Sequence, residues 1–358
     1  MQSNLYEGIS TVDPALWGQV TRDHPFAGWH WCHFGEVAHG HPGFYLVATE
    51  GDQPVGGAIF WVIDDEMIPT WHALARYVVA HYLRWRPLLA CRTALDTTHA
   101  AIFMPSDPNC RAELMAEIRR AAGDLLYRQH CSFFVADYLS PVEMDYPWGD
   151  FFVLKDFHFQ NAGTYLTVKW ESFEAYKADL KAQGKKAYRN IKDNTRRAME
   201  AGITVSLQRE APPLDEILRL QAIHAKHYHQ PFNPARTTRT VNATARLPEN
   251  NCRWALAHCN GDLVAYKLLL FDDVNRIAYA TLYASDHKTE FAYFLMSYED
   301  IRYAMDDWCA KMIFYGSEGY EFKRRMGFEL DTRDQLVFYP AGRVERSLAG
   351  FLLRWMDR

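Results

Sequence analysis

Glycine-rich phosphate loops are missing from this sequence. Neither a GxxxxGK[ST] nor a GxGxxG segment follows a strand-like apolar run, so nucleotide hydrolysis and dinucleotide binding have no support. Seven cysteines (Cys32, Cys91, Cys110, Cys131, Cys252, Cys259, Cys309) are scattered and never spaced as CxxC, which indicates neither a disulfide framework nor a zinc ribbon. No uninterrupted apolar run reaches the roughly 18 residues of a membrane span, and the start MQSNLYEGIS lacks the basic lead and apolar centre of a secretion signal. A cytoplasmic protein without a membrane span is the expectation. The formal net charge of −5 speaks against a general nucleic-acid coat, while a local basic patch stays compatible with it. Low-complexity segments are missing too.

What is present is enough apolar material for a large core: 358 residues, 49% hydrophobic and 15% aromatic, predict about two domains. An aromatic-rich lead-in over 11–37 precedes Phe44–Ile63, which reads as a β-hairpin turning at Glu50–Pro54. Helical spacing over Trp71–Trp85, a strand at Thr98–Met104, a helix at Arg111–Arg128 and a strand at Ser132–Ala136 follow. The second half repeats this order. Cys252–Phe271 is a hairpin around Asn260-Gly261-Asp262, Ile277–Tyr283 a strand, and Phe291–Trp308 the strongest amphipathic helix, which leads into a strand at Met312. Hairpin, strand, helix, strand occurring twice predicts two copies of one α/β (α+β) unit, with domains at 1–160 and 161–358. The join falls near Asp156–Tyr165. Between the copies, Leu166–Lys169 reads as a strand, and helices are expected over Ser172–Leu180, Lys185–Glu200 and from Pro213 to about Tyr228; a last one spans Val344–Trp355.

Chemistry is concentrated in two places. Lys181–Arg197 holds seven basic residues against one acid, and at about 100° per residue Lys185, Arg189, Lys192 and Arg196 share one face beside the packing face of Tyr188, Ile191, Thr195 and Ala198. Such a stripe suits donor phosphates. The other place is Lys311–Glu329, where a short strand breaks at Gly316-Ser317-Glu318-Gly319 and passes into Phe322-Lys323-Arg324-Arg325. Strand ends are where α/β folds place ligand sites. A lysine there, Lys323, can stabilise an oxyanion, and Glu318 can take a proton from an attacking amine. His224, His227 and His229 lie near a helix end, but no carboxylate or cysteine stands beside them at a metal-ligand spacing, so no metal is expected.

The hairpin Trp254–Leu270, the Ile277 strand, the Phe291 helix and the ending FKRRMGF resemble the GNAT N-acyltransferase superfamily. The pair KKAYRNIKDNTRRAMEAGITV and GSEGYEFKRRMGF is similar to its FemAB-like, BioF2/CelD-like branch, which comprises two tandem GNAT-type domains, each a mixed, mostly antiparallel sheet flanked by helices. The resemblance implies an N-acyltransferase that moves an acyl or aminoacyl group from aminoacyl-tRNA or an acyl-CoA or acyl-carrier thioester, as co-substrate rather than tightly bound cofactor, to an amine on a small molecule or peptide. It also implies that Phe322 and Lys323, with Tyr320 and Arg324 beside them, contact the donor. One departure is plain: Asp286–Ala292 has no glycine where CoA-dependent members carry a pyrophosphate loop. An ordinary CoA-dependent N-acetyltransferase, or a non-catalytic ligand-binding protein on a duplicated GNAT fold, are the alternatives.

Overall fold

The computed structural model describes the chain apart from residues 23, 67–72, 95–98, 155–162, 317–318, 332–334 and 357–358, and apart from the side chains of 73–76, 154, 185, 335 and 351–356. By internal contacts it divides into two compact units, Met1–Asn161 with Thr332–Arg358, and Ala162–Asp331.

The first unit runs through β1 (Gln2–Glu7), α1 (Pro14–Val20), α2 (Trp29–His39), the hairpin β2 (Phe44–Glu50) and β3 (Gln53–Ile63), α3 (Ala73–Trp85), β4 (Leu88–Cys91) and β5 (Ile102–Phe103). It continues with α4 (Pro108–Arg128), β6 (Phe133–Leu139), the single turn α5 (Pro141–Met144) and β7 (Phe152–Leu154). The Asp107 carboxylate accepts the Cys110 N–H at 2.8 Å and Pro108 occupies the first turn, so α4 starts where capping chemistry places it. Its buried face is Leu114, Met115, Ile118, Ala121, Ala122, Leu125 and Leu126; each large apolar side chain so buried contributes about 1.5–3 kcal/mol. Gly56 in β3 has a packing reason, because a Cβ there would run into the Phe103 carbonyl of β5.

The second unit comprises β8 (Thr164–Thr167), α6 (Phe173–Gln183), α7 (Lys185–Glu200), β9 (Ile203–Gln208), α8 (Leu214–His227) and α9 (Pro234–Ala243). The hairpin β10 (Cys252–Cys259) and β11 (Asp262–Asp272), then β12 (Ile277–Ser285), α10 (Ala292–Arg302), β13 (Met312–Tyr315), α11 (Tyr320–Arg325) and β14 (Glu329–Leu330) complete it. Its sheet has the order β14-β8-β13-β12-β11-β10-β9. Neighbours are antiparallel except β12 and β13, which run parallel because α10 crosses over between them. Buried residues of α6, α7 and α10, among them Tyr176, Leu180, Ile191, Tyr298 and Ile301, pack with Leu269, Phe271 and Ile313 of the sheet. The helix expected over Phe291–Trp308 ends at Arg302 and passes into a π-helical turn, Tyr303–Asp307, so its apolar stripe covers two backbone geometries.

The chain then forms β15 (Gln335–Pro340) and α12 (Arg343–Met356). The sequence boundaries 1–160 and 161–358 leave both with the second half, whereas β15 lies between β6 and β7, its Phe338 opposite Val135 on one side and Phe152 on the other. An apolar run shows that a strand forms, not which sheet receives it. The first sheet is therefore β1-β2-β3-β4-β6-β15-β7, with β5 also on β3.

The repeated hairpin, strand, helix, strand order holds, with one correction. In the first unit the parallel partner of β6 is β4, registered from Leu88 opposite Phe133 to Cys91 opposite Ala136. The strand expected at Thr98–Met104 is the two-residue β5, with residues 95–98 outside the described part.

Candidate functional site

The second unit's parallel strands stay together for four residue pairs, from Ile277 opposite Met312 to Ala280 opposite Tyr315, and then part. The strand β13 stops at Tyr315 while β12 runs on to Ser285, and the β11–β12 register shifts between Tyr266 and Leu268. Leu282, just past the parting, has φ +43. A leucine in the left-handed region costs on the order of 1–3 kcal/mol and persists only where its surroundings hold it.

Lys323 stands at this parting. Its α11 starts behind Gly319, whose φ of +61 makes the turn from the strand end. The Lys323 side chain is buried, its ammonium donates to the Gly316 carbonyl just past β13, and it lies 5.8 Å from the Tyr315 ring centre. Phe322 is half-buried and meets Phe294 and Tyr293 of α10 edge-on at 5.2 and 5.8 Å. Tyr320 is half-buried and Arg324 exposed, both on α11. Glu318 lies outside the described residues.

Beside Tyr315 is a polar cluster that the sequence reading missed. Lys267 of β11 and Asp300 of α10, both buried, form an ion pair at 2.7 Å, and Lys267 reaches Ser297 Oγ at 3.3 Å. The Tyr315 hydroxyl lies 3.2 Å from both Asp300 Oδ2 and the Ser297 carbonyl. Rings of Tyr315, Tyr293 and Tyr283 surround the Lys267 ammonium at 4.8, 5.2 and 5.8 Å. Burial raises the Asp300 carboxyl above its ordinary range, although Lys267 and Tyr315 act against that. A signal for the pair was available: Lys267 is the one charge inside the apolar run LVAYKLLLF. A buried lysine demands a buried partner, but sequence alone does not name it.

The loop between β12 and α10 is closed by its own side chain. Asp286 accepts the N–H groups of Lys288 and Thr289, both at 3.0 Å, and the Thr289 hydroxyl at 2.9 Å. Partial burial pushes the Asp286 carboxyl up, but these donors more than offset it and leave it below the ordinary range. Two backbone N–H groups of this loop, those of Lys288 and Thr289, are thus engaged by a carboxylate. Next to this loop, His287 Nε2 lies 2.9 Å from His224 Nδ1, and its ring stacks on His227 at 3.9 Å. Burial first, then the neighbouring imidazoles, lowers His224 to about 4 and keeps it neutral at pH 7. Among the described residues no group of His, Cys, Asp or Glu is arranged to hold a metal.

The basic helix α7 packs through Ala187, Ile191 and Ala198, and Asn194 donates to the Tyr298 hydroxyl of α10 at 3.0 Å. Arg189, Lys192 and Arg196 are exposed, and Arg196 pairs with Glu200 at 2.8 Å; the Lys185 side chain is not described. The cation that reaches the start of α10 is Arg197, 5.5 Å above the Phe291 ring. Phe291 caps that helix with φ +70.

Comparison with known proteins gives a domain match and a likeness of fold. Residues 185–324, the stretch from α7 through Arg324, match the model of the acetyltransferase (GNAT) domain. Among solved structures the chain is similar to FemX (TM-score 0.56, 11% identity, 95% of this chain and 97% of that one). It is also similar to a tandem GNAT protein from the clavulanic acid biosynthesis pathway (TM-score 0.54, 12% identity, 96% and 99%). A third is a C-terminal domain described as that of a lysylphosphatidylglycerol synthetase from Agrobacterium fabrum (TM-score 0.51, 10% identity, 94% and 93%). At these identities the likeness is one of fold. No curated protein sequence matches the chain at a significant level. The 185–324 segment thus matches a GNAT domain, and the chain has the fold of tandem-GNAT structures such as FemX.

Proposed function

We propose that this protein is a cytoplasmic N-acyltransferase that moves an acyl or aminoacyl group from an activated ester or thioester to an amine. The observation that carries the reading is the parting of β12 and β13 inside the GNAT-matched segment, with the buried Lys323 ammonium at its edge. The amine nitrogen attacks the donor carbonyl carbon, and Glu318 takes the proton the nitrogen loses. The carbonyl electrons become an oxyanion, which collapses to an amide and expels the alkoxide or thiolate, and the proton held by Glu318 passes to that leaving group to give the alcohol or thiol. Lys323 stabilises the negative charge that develops. Tyr320, Phe322 and Arg324 contact the donor, and Lys185, Arg189, Lys192 and Arg196 hold its phosphates.

The donor is a co-substrate, so the reaction as written needs no resident cofactor or metal. The engagement of the Lys288 and Thr289 N–H groups by Asp286 favours a donor gripped by side chains, such as aminoacyl-tRNA or an acyl carrier, over one gripped by a pyrophosphate loop. Incubation of the purified chain with labelled aminoacyl-tRNA, acyl-CoA and acyl-carrier thioesters, each with a panel of amines, tests this. Amide product from one donor class, lowered in Glu318→Gln, is expected; binding without turnover for every donor would make the protein a ligand-binding module instead.

A further inference from the structure

We infer that a face of the first unit, built by α3, the end of α4 and the start of α12, docks on an anionic lipid bilayer. This inference does not rest on the transfer reading. Trp85 and Tyr127 are 75% and 85% exposed, although a Trp and a Tyr are ordinarily well covered. Tyr77 and Val78 of α3, and Val344 and Leu348 of α12, are exposed as well. These are not isolated surface residues, because one network ties their elements together. Arg86 at the end of α3 pairs with Glu345 of α12 and donates to the Cys131 carbonyl beyond α4 at 2.9 Å, while the Tyr82 hydroxyl donates to Glu345 at 2.8 Å. A cavity of about 750 Å³ opens within this face, lined by Trp85, Arg86, Tyr127, His130 and Tyr339 among others. Apolar surface gathered in this way marks an interaction site.

Charge identifies the partner. Arg84, Arg128, Arg343 and Arg346 are exposed around the face, α3 contains no acidic residue, and Glu345 is buried against Arg86. Asp124 of α4 is an exposed acid near it, lying 3.6 Å from Arg120. An arginine-rich border is conspicuous in a chain of net charge −5 and selects an anionic surface. The exposed aliphatics decide between anionic surfaces. A single-stranded nucleic acid would use Trp85, Tyr127 and the arginines, but has nothing to offer Val78, Val344 and Leu348. A bilayer interface takes all three kinds of side chain: aliphatics below the headgroups, Trp and Tyr among them, and arginines on the phosphates. No described helix is long and apolar enough to cross the membrane, so the contact would be peripheral.

Vesicle co-sedimentation of the full chain tests the inference. Phosphatidylcholine vesicles containing phosphatidylglycerol should carry the protein down, pure phosphatidylcholine vesicles should not, and added salt should weaken the binding. Trp85→Ser with Tyr127→Ser should lower binding at least about tenfold, and Arg84→Glu and Arg128→Glu should each lower it about fivefold or more. All four positions are exposed, so far-UV circular dichroism should be unchanged. Failure of the wild type to bind the anionic vesicles, or equal binding by the Trp85/Tyr127 variant, would overturn the inference. So would a dimer in solution that Trp85→Ser dissociates, or single-stranded RNA binding that depends on Trp85 and Tyr127 without vesicle binding.

Discussion

Lys267 and Asp300 pair their charges inside a collar of tyrosines, and removing one partner leaves the other buried and uncompensated. Lys267→Met should therefore cost about 3–5 kcal/mol in denaturant unfolding, and much of that should return in Lys267→Met with Asp300→Leu, since a matched apolar pair avoids the desolvation of both ions. No recovery in the double variant would mean that the pair holds its surroundings by geometry rather than by charge. His224 makes a prediction in pH. Its ordinary value of 6.5 falls to about 4 in the folded protein, so the folded state favours the neutral imidazole. The stability this brings is fully present above 6.5 and is lost as pH falls towards about 4. Thermal denaturation in that window should be less steeply pH-dependent in His224→Gln. At this scale the sequence was partly readable: the basic and aromatic residues of α11 and the cations of α7 stand out by composition. Asp300, Tyr315 and His287 do not, because each acquires its role from a partner brought in from another element.

The helix α4 carries a glycine with no steric reason visible in the fold. A Cβ at Gly123 would meet nothing within 4 Å, and the residue is helical. Gly123→Ala should therefore stabilise the protein by about 0.5–1 kcal/mol, measured as a shift in the denaturant midpoint at unchanged slope; a loss of stability would reveal a backbone demand that the helix does not show. Elements with strong periodicity or turn chemistry were legible in advance. The hairpins β2–β3 and β10–β11 announce their turns at Gly51-Asp52 and Asn260-Gly261, and α10 announces its buried stripe. The sequence pattern does not mark the strands β1, β9 and β15 or the helix α9, and the LLAC run of β4 is too short to separate from a helix end. Strand identity comes from pairing, and pairing partners lie far away in sequence.

At the scale of the whole molecule, the repeat of hairpin, strand, helix and strand is visible in the sequence, and so is the resemblance to GNAT proteins that the 185–324 match and the fold agree with. The return of the chain to the first sheet is not, since β15 is local in sequence to the second unit and pairs with β6 and β7 of the first. Ending the chain at Asp331 would remove the strand between β6 and β7 together with the Glu345 partner of Arg86 and Tyr82. Such a truncation should lose the unfolding transition of the first unit and keep only that of the second, while the contiguous segment Ala162–Asp331 should give a folded domain by circular dichroism. A 1–331 chain that keeps the first unit's unfolding transition at an unchanged denaturant midpoint would show that β15 is dispensable. The central claim, acyl transfer at the parting of β12 and β13, is tested most directly by single-turnover amide formation from labelled aminoacyl-tRNA and acyl thioesters in the wild type and in Lys323→Ala. The account predicts product with the wild type and a fall of about 100-fold or more in the folded variant; no product from any donor, or an undiminished rate without Lys323, would contradict it.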